Sequence, residues 1–356
     1  MKGYDIATSV LVILVVLLII MPLPTWLVDA LLITNITISL FILLVSLFVR
    51  RPLDFSILPT LLLLTTIFRM ALSLSTTKLI LSNAGYAGQV VQTFGTFVIG
   101  GNLVVGFVAF LIIVAIQFIV ITKGSERVSE VAARFTLDAM PGKQMAIDAD
   151  LNAGLIDEAT ARKRREAIAR EADFYGAMDG ASKFVKGDAI AGLIITVINL
   201  FGGFDVGMMQ QGLSAGEAFQ KFALLTVGDG LVSQLPALIV SAATGIMVTR
   251  SSSKDNLGSE VLSQLSASPK VLTFTGWALI ALSLVPGLPK LPMVVLGVLW
   301  LLIGASVQKA KATMEKDKQE EAYKKEVEDQ KRPEAAQGLV KVDPLEIEFG
   351  LALLPL

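Results

Sequence analysis

Long apolar stretches alternate with short polar breaks along most of this chain. Ile6 to Ile20 is apolar and ends at Met21-Pro22-Leu23-Pro24. Trp26 to Val49 follows, closed by Arg50-Arg51-Pro52, then Phe55 to about Leu81, then Phe94 to Thr122. A helix needs about 20 apolar residues to cross a bilayer, so these predict four spans. The character changes at Lys123: residues 123–187 carry 11 basic and 11 acidic residues. Apolar stretches return at Asp188 to Met208, Phe222 to Thr249, Val271 to Val285 and Leu291 to Val307. The pattern predicts an all-α polytopic membrane protein. It has about eight transmembrane helices, four in 1–122 and four in 188–307, around a small helical cytoplasmic insert, 123–187. The first stretch is not read as a cleaved signal peptide, because no small-residue cleavage site follows and a second span starts at once.

Loop charges give an orientation. Lys2, Arg50, Arg51, the insert, Arg250, Lys254, Lys270 and the Lys-rich tail fall on one side, against Lys221, Lys290 and Lys78 at or near the other. The biased side is expected to be cytoplasmic, with both termini inside. Residues 308–340 hold 8 basic and 8 acidic residues and read as a charged cytoplasmic helix or linker. Val342 to Gly350 alternates like a strand, and 341–356 is expected to begin a truncated C-terminal cytoplasmic domain.

Composition sharpens this picture. The chain is 54% hydrophobic with mean hydropathy +0.69, and only 17% of residues are charged, against about 25% in soluble domains. With 30 basic and 31 acidic residues, nothing points to nucleic acid. Cysteine and histidine are both absent. That excludes disulfides, thiolate or imidazole metal sites and His-based catalysis, so no metal or cofactor is expected. Proton chemistry falls to Asp, Glu, Lys, Arg or Tyr.

Within the insert, Ser125 is placed to cap a helix from Glu126 to Leu137, with Val128, Val131 and Phe135 on one face. Pro141-Gly142 is expected to break it, and Lys143 to Asn152 to form a short segment. Asp157 is placed to cap a second helix to about Met178, weakened at its end by Gly176 and Gly180. Two motifs fail on inspection. The Gly142-Lys143 pair lacks the upstream Gly (Leu137 stands there) and the following Ser or Thr (Gln144 stands there) of a phosphate loop. Asp148-Ala149-Asp150-Leu151-Asn152 starts like a calcium loop, but its Gly falls late at Gly154 and Ala159 occupies the twelfth position. It reads as a surface turn.

The 24 contiguous residues from Arg127 to Asp150, RVSEVAARFTLDAMPGKQMAIDAD, resemble the signature of the FHIPEP family, the export-gate proteins of flagellar and virulence type III secretion. The residues that carry it are Arg127, Glu130, Arg134, Phe135, Asp138, Pro141, Gly142, Lys143, Gln144, Asp148 and Asp150. The resemblance continues through Ala172 to Gly192, Thr226 to Gly230, Ser75 to Thr77 and the Gly95 to Gly106 region. It implies a non-enzymatic component of a bacterial inner-membrane export apparatus that couples proton-motive force to movement of unfolded proteins. It also implies a homo-oligomeric ring (a nonamer in the family) among other export-gate membrane proteins. A larger C-terminal domain would dock the ATPase complex, chaperones and substrates. Ala149 to Leu155 and Asp173 to Gly176 look flagellar; a virulence injectisome is the alternative branch.

Ionisable groups inside a bilayer are costly and often functional. Asp29, Arg69, Lys78, Asp188 and Asp229 are the candidates. Asp29 and Lys78 lie near span ends, where snorkelling or structural pairing explains them equally well. Arg69 lies mid-span and needs a partner or a wet cavity. Asp188 opens the fifth span among Gly187, Ala189, Ala191 and Gly192, free to face another span, Arg69 among the possibilities, or a narrow cavity. Asp229 lies between Gly228 and Gly230, where a broken helix is permitted beside protein or water. The resemblance implicates the residues matching Asp188 and Asp229 in proton-driven export, and those matching Asp29, Arg69, Lys78, Lys183 and Arg250 in gate function. An ion-coupled small-solute transporter also explains buried carboxylates, but not the polar signature, and no inverted repeat supports it.

Overall fold

The computed structural model describes residues 13–82, 85–250, 258, 263–264, 266–285 and 289–330. Every regular element among the described residues is helical, so the predicted fold class, an all-α membrane protein, holds. Among the described residues, six helices are long and apolar enough to cross a membrane, and two shorter apolar helices accompany them. The chain divides into two compact units, 1–259 and 260–356. The expected strand at 342–350 and residues 6–12 of the expected first span lie outside the described residues; 13–20 are helical.

In the first unit, α1 runs Thr25–Phe48, α2 Leu58–Ser82, α3 Gln89–Ile99 and α4 Leu103–Ile116. A π-helical turn, Gln117–Thr122, joins α4 to α5, Lys123–Asn152; α6 is Glu158–Met209 and α7 Ala215–Thr249. Helix α7 is the centre of the bundle: every residue from Leu225 to Val232 is buried, and α1, α3 and α6 pack against it. Helix α2 packs against α6. On α1, Val28, Leu32, Asn35, Ser39, Ile42 and Ser46 form the buried face, spaced three or four residues apart as one helical stripe requires. Its apolar outer face suits lipid.

The stretch from about Phe94 to Thr122, expected to contain the fourth span, does contain a helix that begins at Leu103 and is apolar enough to cross, but the stretch as a whole is not one helix. Helix α3 ends at Ile99, and Gly100 and Gly101 turn the chain at φ +51° and +89°, a region that favours glycine. Asn102 then caps α4, its side chain accepting from the N–H groups of Val104 and Val105. At 11 residues, α3 is about 16 Å long, too short to span.

The insert differs from its expected form. Pro141 and Gly142 do not break the helix; α5 continues through them to Asn152. Gly176 and Gly180 do not end the next helix, which runs unbroken from Glu158 through Asp188 to Met209. Asp148 to Asn152 is helical rather than a turn; the turn comes at Ala153 and Gly154, the latter at φ +71°. Of the two expected caps, that of Asp157 forms, accepting from the Thr160 N–H at 2.9 Å, whereas Ser125 lies inside α5 and donates to the Ser241 carbonyl. The insert is therefore a helical hairpin, each arm about 45 Å long at 1.5 Å per residue, and both arms continue into apolar helices.

Salt bridges cross this hairpin along its length: Glu126–Lys186 at 2.9 Å, Lys143–Glu171 at 2.8 Å, Asp148–Arg165 at 2.5 Å and Asp150–Arg164 at 3.0 Å. Ala133 and Ile147 are buried on either side of Pro141. Contacts both before and after the proline hold α5 together as one helix across the point where propensity alone would stop it. The face carrying Val128, Val131 and Phe135 is exposed, Phe135 to 71%.

The second unit contains α8, Pro269–Leu282, and α9, Lys290–Gln330. Gly276 and Gly297 let them touch backbone to backbone, since a Cβ on Gly276 would lie 2.8 Å from the Gly297 carbonyl, as small residues permit between membrane helices. Helix α8 has 14 residues, short for the predicted seventh span. The expected charged linker continues α9 as helix to Gln330.

Candidate functional site

Arg69, Asp188 and Asp229 meet at one internal cavity of about 30 Å³. That is room for about two waters, at 10–15 Å³ each. Helix α2 contributes Arg69 and Ser73, the π-turn Gln117, α6 Asp188, Gly192 and Thr196, and α7 Asp229, Gly230, Ser233 and Gln234.

Arg69 and Asp188 are both buried and form a direct ion pair through the Arg69 Nη2 and an Asp188 Oδ. The pair neutralises each charge but commits both helices to one arrangement, because removing either partner strands a buried charge. The Ser73 and Ser233 hydroxyls meet at 3.2 Å beside it. Gln117 donates through Nε2 to the Gln234 carbonyl at 3.1 Å. The Gln117 and Gln234 side-chain oxygens, Arg69 Nε and Asp229 Oδ1 are buried and make no regular hydrogen bond. An unpaired buried polar atom costs about 1–3 kcal/mol, so a polar cavity of this size is suited to water.

Asp229 does not sit in a broken helix as expected; α7 is continuous through Gly228, Asp229, Gly230 and Pro236. The flanking glycines serve packing instead. A Cβ on Gly228 would strike the Val91 carbonyl of α3, and one on Gly230 would lie 2.6 Å from the Phe110 ring of α4. They let two helices close over the carboxylate. Asn199 of α6 donates through Nδ2 to Asp229 Oδ2 at 2.8 Å.

The other four predicted residues lie elsewhere. Asp29 accepts from the N–H groups of Gln89 and Val90 at 2.9 and 3.0 Å, an inter-helix cap on α3 of the kind that favours an anion at a helix N-terminus. Lys78 donates to the carbonyls of Ile19 and Ile20 at 2.7 and 3.3 Å, closing the C-terminus of the 13–20 helix. Arg250 donates to the Ser46 carbonyl at 3.2 Å, near the end of α1. Lys183 pairs with Asp179 one turn away at 2.8 Å, and that hydrogen bond holds its ammonium above the ordinary lysine value.

The signature residues lie on the hairpin. Arg127 pairs with Glu130 at 2.7 Å and Arg134 with Asp138 at 3.9 Å. Lys143 is engaged by Glu171, and Asp148 and Asp150 by arginines, which accounts for both rejected motifs. Gln117 and Asn199 went unremarked in the sequence because they carry no charge. The signal was there: each is a lone amide within a long apolar run.

The chain resembles proteins of known name. The flagellar biosynthesis protein FlhA of Bacillus subtilis strain 168 is 52% identical over 359 residues, covering 100% of this chain and 52% of that protein. FlhA of Salmonella typhimurium is 46% identical over 361 residues, covering 99% and 51%. The low calcium response locus protein D of Yersinia pestis is 53% identical over 297 residues, covering 83% and 42%. The chain thus spans about half the length of these relatives. No solved structure matches it significantly. The FHIPEP family model matches residues 15–356, and with that coverage, on top of the signature along α5, the chain belongs to the FHIPEP family.

Proposed function

We propose that this chain is the membrane half of a flagellar type III export gate in the bacterial inner membrane, coupling proton movement to translocation of unfolded export substrates. The observation that carries the reading is the cavity itself. Two carboxylates and an arginine, buried among apolar helices, share a space sized for water. Groups of this kind inside a membrane mark ion pathways. Asp188 and Asp229 are the proton-carrying groups in this reading, with Arg69 as counter-charge. Asp29, Lys78 and Arg250 hold the helix ends that frame the gate. Lys183 lies on the hairpin where it meets the bundle.

In this reading the protein works as a non-enzymatic homo-oligomeric ring around other export-gate membrane proteins, with the termini and the hairpin in the cytoplasm. The ATPase complex, chaperones and substrates engage it mainly through the part beyond this chain. The flagellar branch is favoured because FlhA of B. subtilis and of Salmonella typhimurium match the chain over 100% and 99% of its length. A fusion of this chain to the C-terminal half of the B. subtilis protein tests the assignment. It should restore swimming to B. subtilis lacking its own copy. A fusion that reaches the membrane at normal level yet restores neither swimming nor filament export refutes it.

A further inference from the structure

Asn199 is completely buried on α6, 0% exposed, and its Nδ2 donates to Asp229 Oδ2. Asp229 lines the cavity and Asn199 does not, so the amide grips the carboxylate from the side away from it. The Thr76 hydroxyl of α2 also bears on this carboxylate; its second oxygen, Oδ1, is buried and makes no regular hydrogen bond, and neither does the amide oxygen of Asn199. We propose that Asn199 is a positioning residue for Asp229, holding one carboxylate oxygen so that the other meets the cavity, and serving the group in both of its protonation states.

The chemistry favours an amide in this place. An ionised carboxylate takes the NH₂ of Asn199; a protonated one gives its O–H to the amide oxygen once the amide turns over. A Lys or Arg would instead bias the carboxylate toward the anion. The charged groups lining the cavity with Asp229 are Arg69 and Asp188. Helices α3 and α4 present the Val91 backbone and the Phe110 ring beside its flanking glycines, neither of which titrates. The neutral partner leaves the charge on Asp229 able to come and go. This deepens the reading of Asp229 as an ion-carrying group and rests on it.

The test reads Asp229 directly. An apolar carbodiimide modifies protonated buried carboxyls, and the tryptic peptide Phe222–Arg250 contains Asp229 as its one acidic side chain. Membranes containing the chain are labelled at pH 6 and pH 8, and the modified fraction of that peptide is measured by mass spectrometry. Asn199→Leu removes the amide at similar volume, so the ionised carboxylate loses its charge-assisted donor. Labelling at pH 8 should then rise at least threefold over the wild type. Asn199→Ala, without added bulk, decides by the same criterion if the Leu variant fails to accumulate. Because labelling is scored per molecule of inserted protein, a merely structural role lowers the amount of protein and leaves the fraction unchanged. Labelling equal to wild type at both pH values overturns the proposal. Normal export by Asp229→Asn in the full-length protein would instead end the reading on which it rests, whatever the labelling shows.

Discussion

Arg69 of α2 and Asp188 of α6 form a buried ion pair between two helices that both line the internal cavity. Such a pair contributes little net stability, but breaking it from one side costs about 3–5 kcal/mol. Arg69→Met should therefore destabilise the bundle strongly. Arg69→Met combined with Asp188→Leu should recover much of that loss, since no charge is left stranded. Thermal unfolding in detergent, followed by tryptophan fluorescence, measures both. A double variant less stable than Arg69→Met alone would mean that the pair is a net source of stability.

Asp29 caps α3 from a different helix. Asp29→Ala should cost about 1–2 kcal/mol, the ordinary worth of such a cap. Asp29→Asn should cost less, because an amide oxygen still accepts from the Gln89 and Val90 N–H groups. Equal losses in the two variants, by the same unfolding measurement, would show that charge rather than capping matters there.

Gly228 lets α3 approach α7 so closely that an added Cβ would collide with the Val91 carbonyl. The obstacle is backbone, so it cannot swing aside. Gly228→Ala should destabilise by about 1–3 kcal/mol, as overpacking does. Gly192→Ala meets nothing within 4 Å and should be tolerated, which makes it the internal control.

On the hairpin, the N–H and hydroxyl of Thr160 hold the Asp157 carboxyl below its ordinary value of 3.8. A depressed carboxylate contributes stability that is present above its unfolded value and lost as pH falls through the folded one. The gap in melting temperature between wild type and Asp157→Ala should be constant from pH 5 to 7. It should close progressively below about pH 4, following the carboxylate's own reference range. A gap that persists at pH 2.5 would show that the cap does not depend on the ionised form.

Much of this was legible in the sequence, for physical reasons. Apolar length placed α1, α2, α4, α7 and the apolar half of α6 well, because a bilayer sets a minimum run. The break at Gly100–Gly101 was missed since both flanking segments are equally apolar, although the glycine pair followed by Asn102 is a turn-and-cap signal. The hairpin was misjudged in the opposite direction. Pro141, Gly176 and Gly180 carry local penalties of about 1–3 kcal/mol, which cross-hairpin contacts outweigh, and those contacts link residues such as Lys143 and Glu171 that are distant in sequence. Charge located Arg69, Asp188 and Asp229, but it could not distinguish them from Asp29, Lys78 and Arg250. That distinction depends on which carbonyl or N–H each side chain meets. Neutral amides drew no notice although Asn199 and Gln117 are central to the site.

The central claim is that the carboxylates of this cavity carry protons during export. The most direct test places Asp188→Asn and Asp229→Asn separately in the full-length protein and measures swimming and secreted flagellar protein, with the membrane level of each variant followed in parallel. An amide keeps the shape of the acid but does not titrate near neutral pH. The account predicts that secretion per inserted molecule falls at least a hundredfold in both variants, with Asp229→Asn at wild-type membrane level and Asp188→Asn, which strands the Arg69 charge, at a lower one, and that Asp188→Glu, which keeps a titratable group at altered reach, retains part of it. Secretion at half the wild-type rate or more by either Asn variant would contradict it.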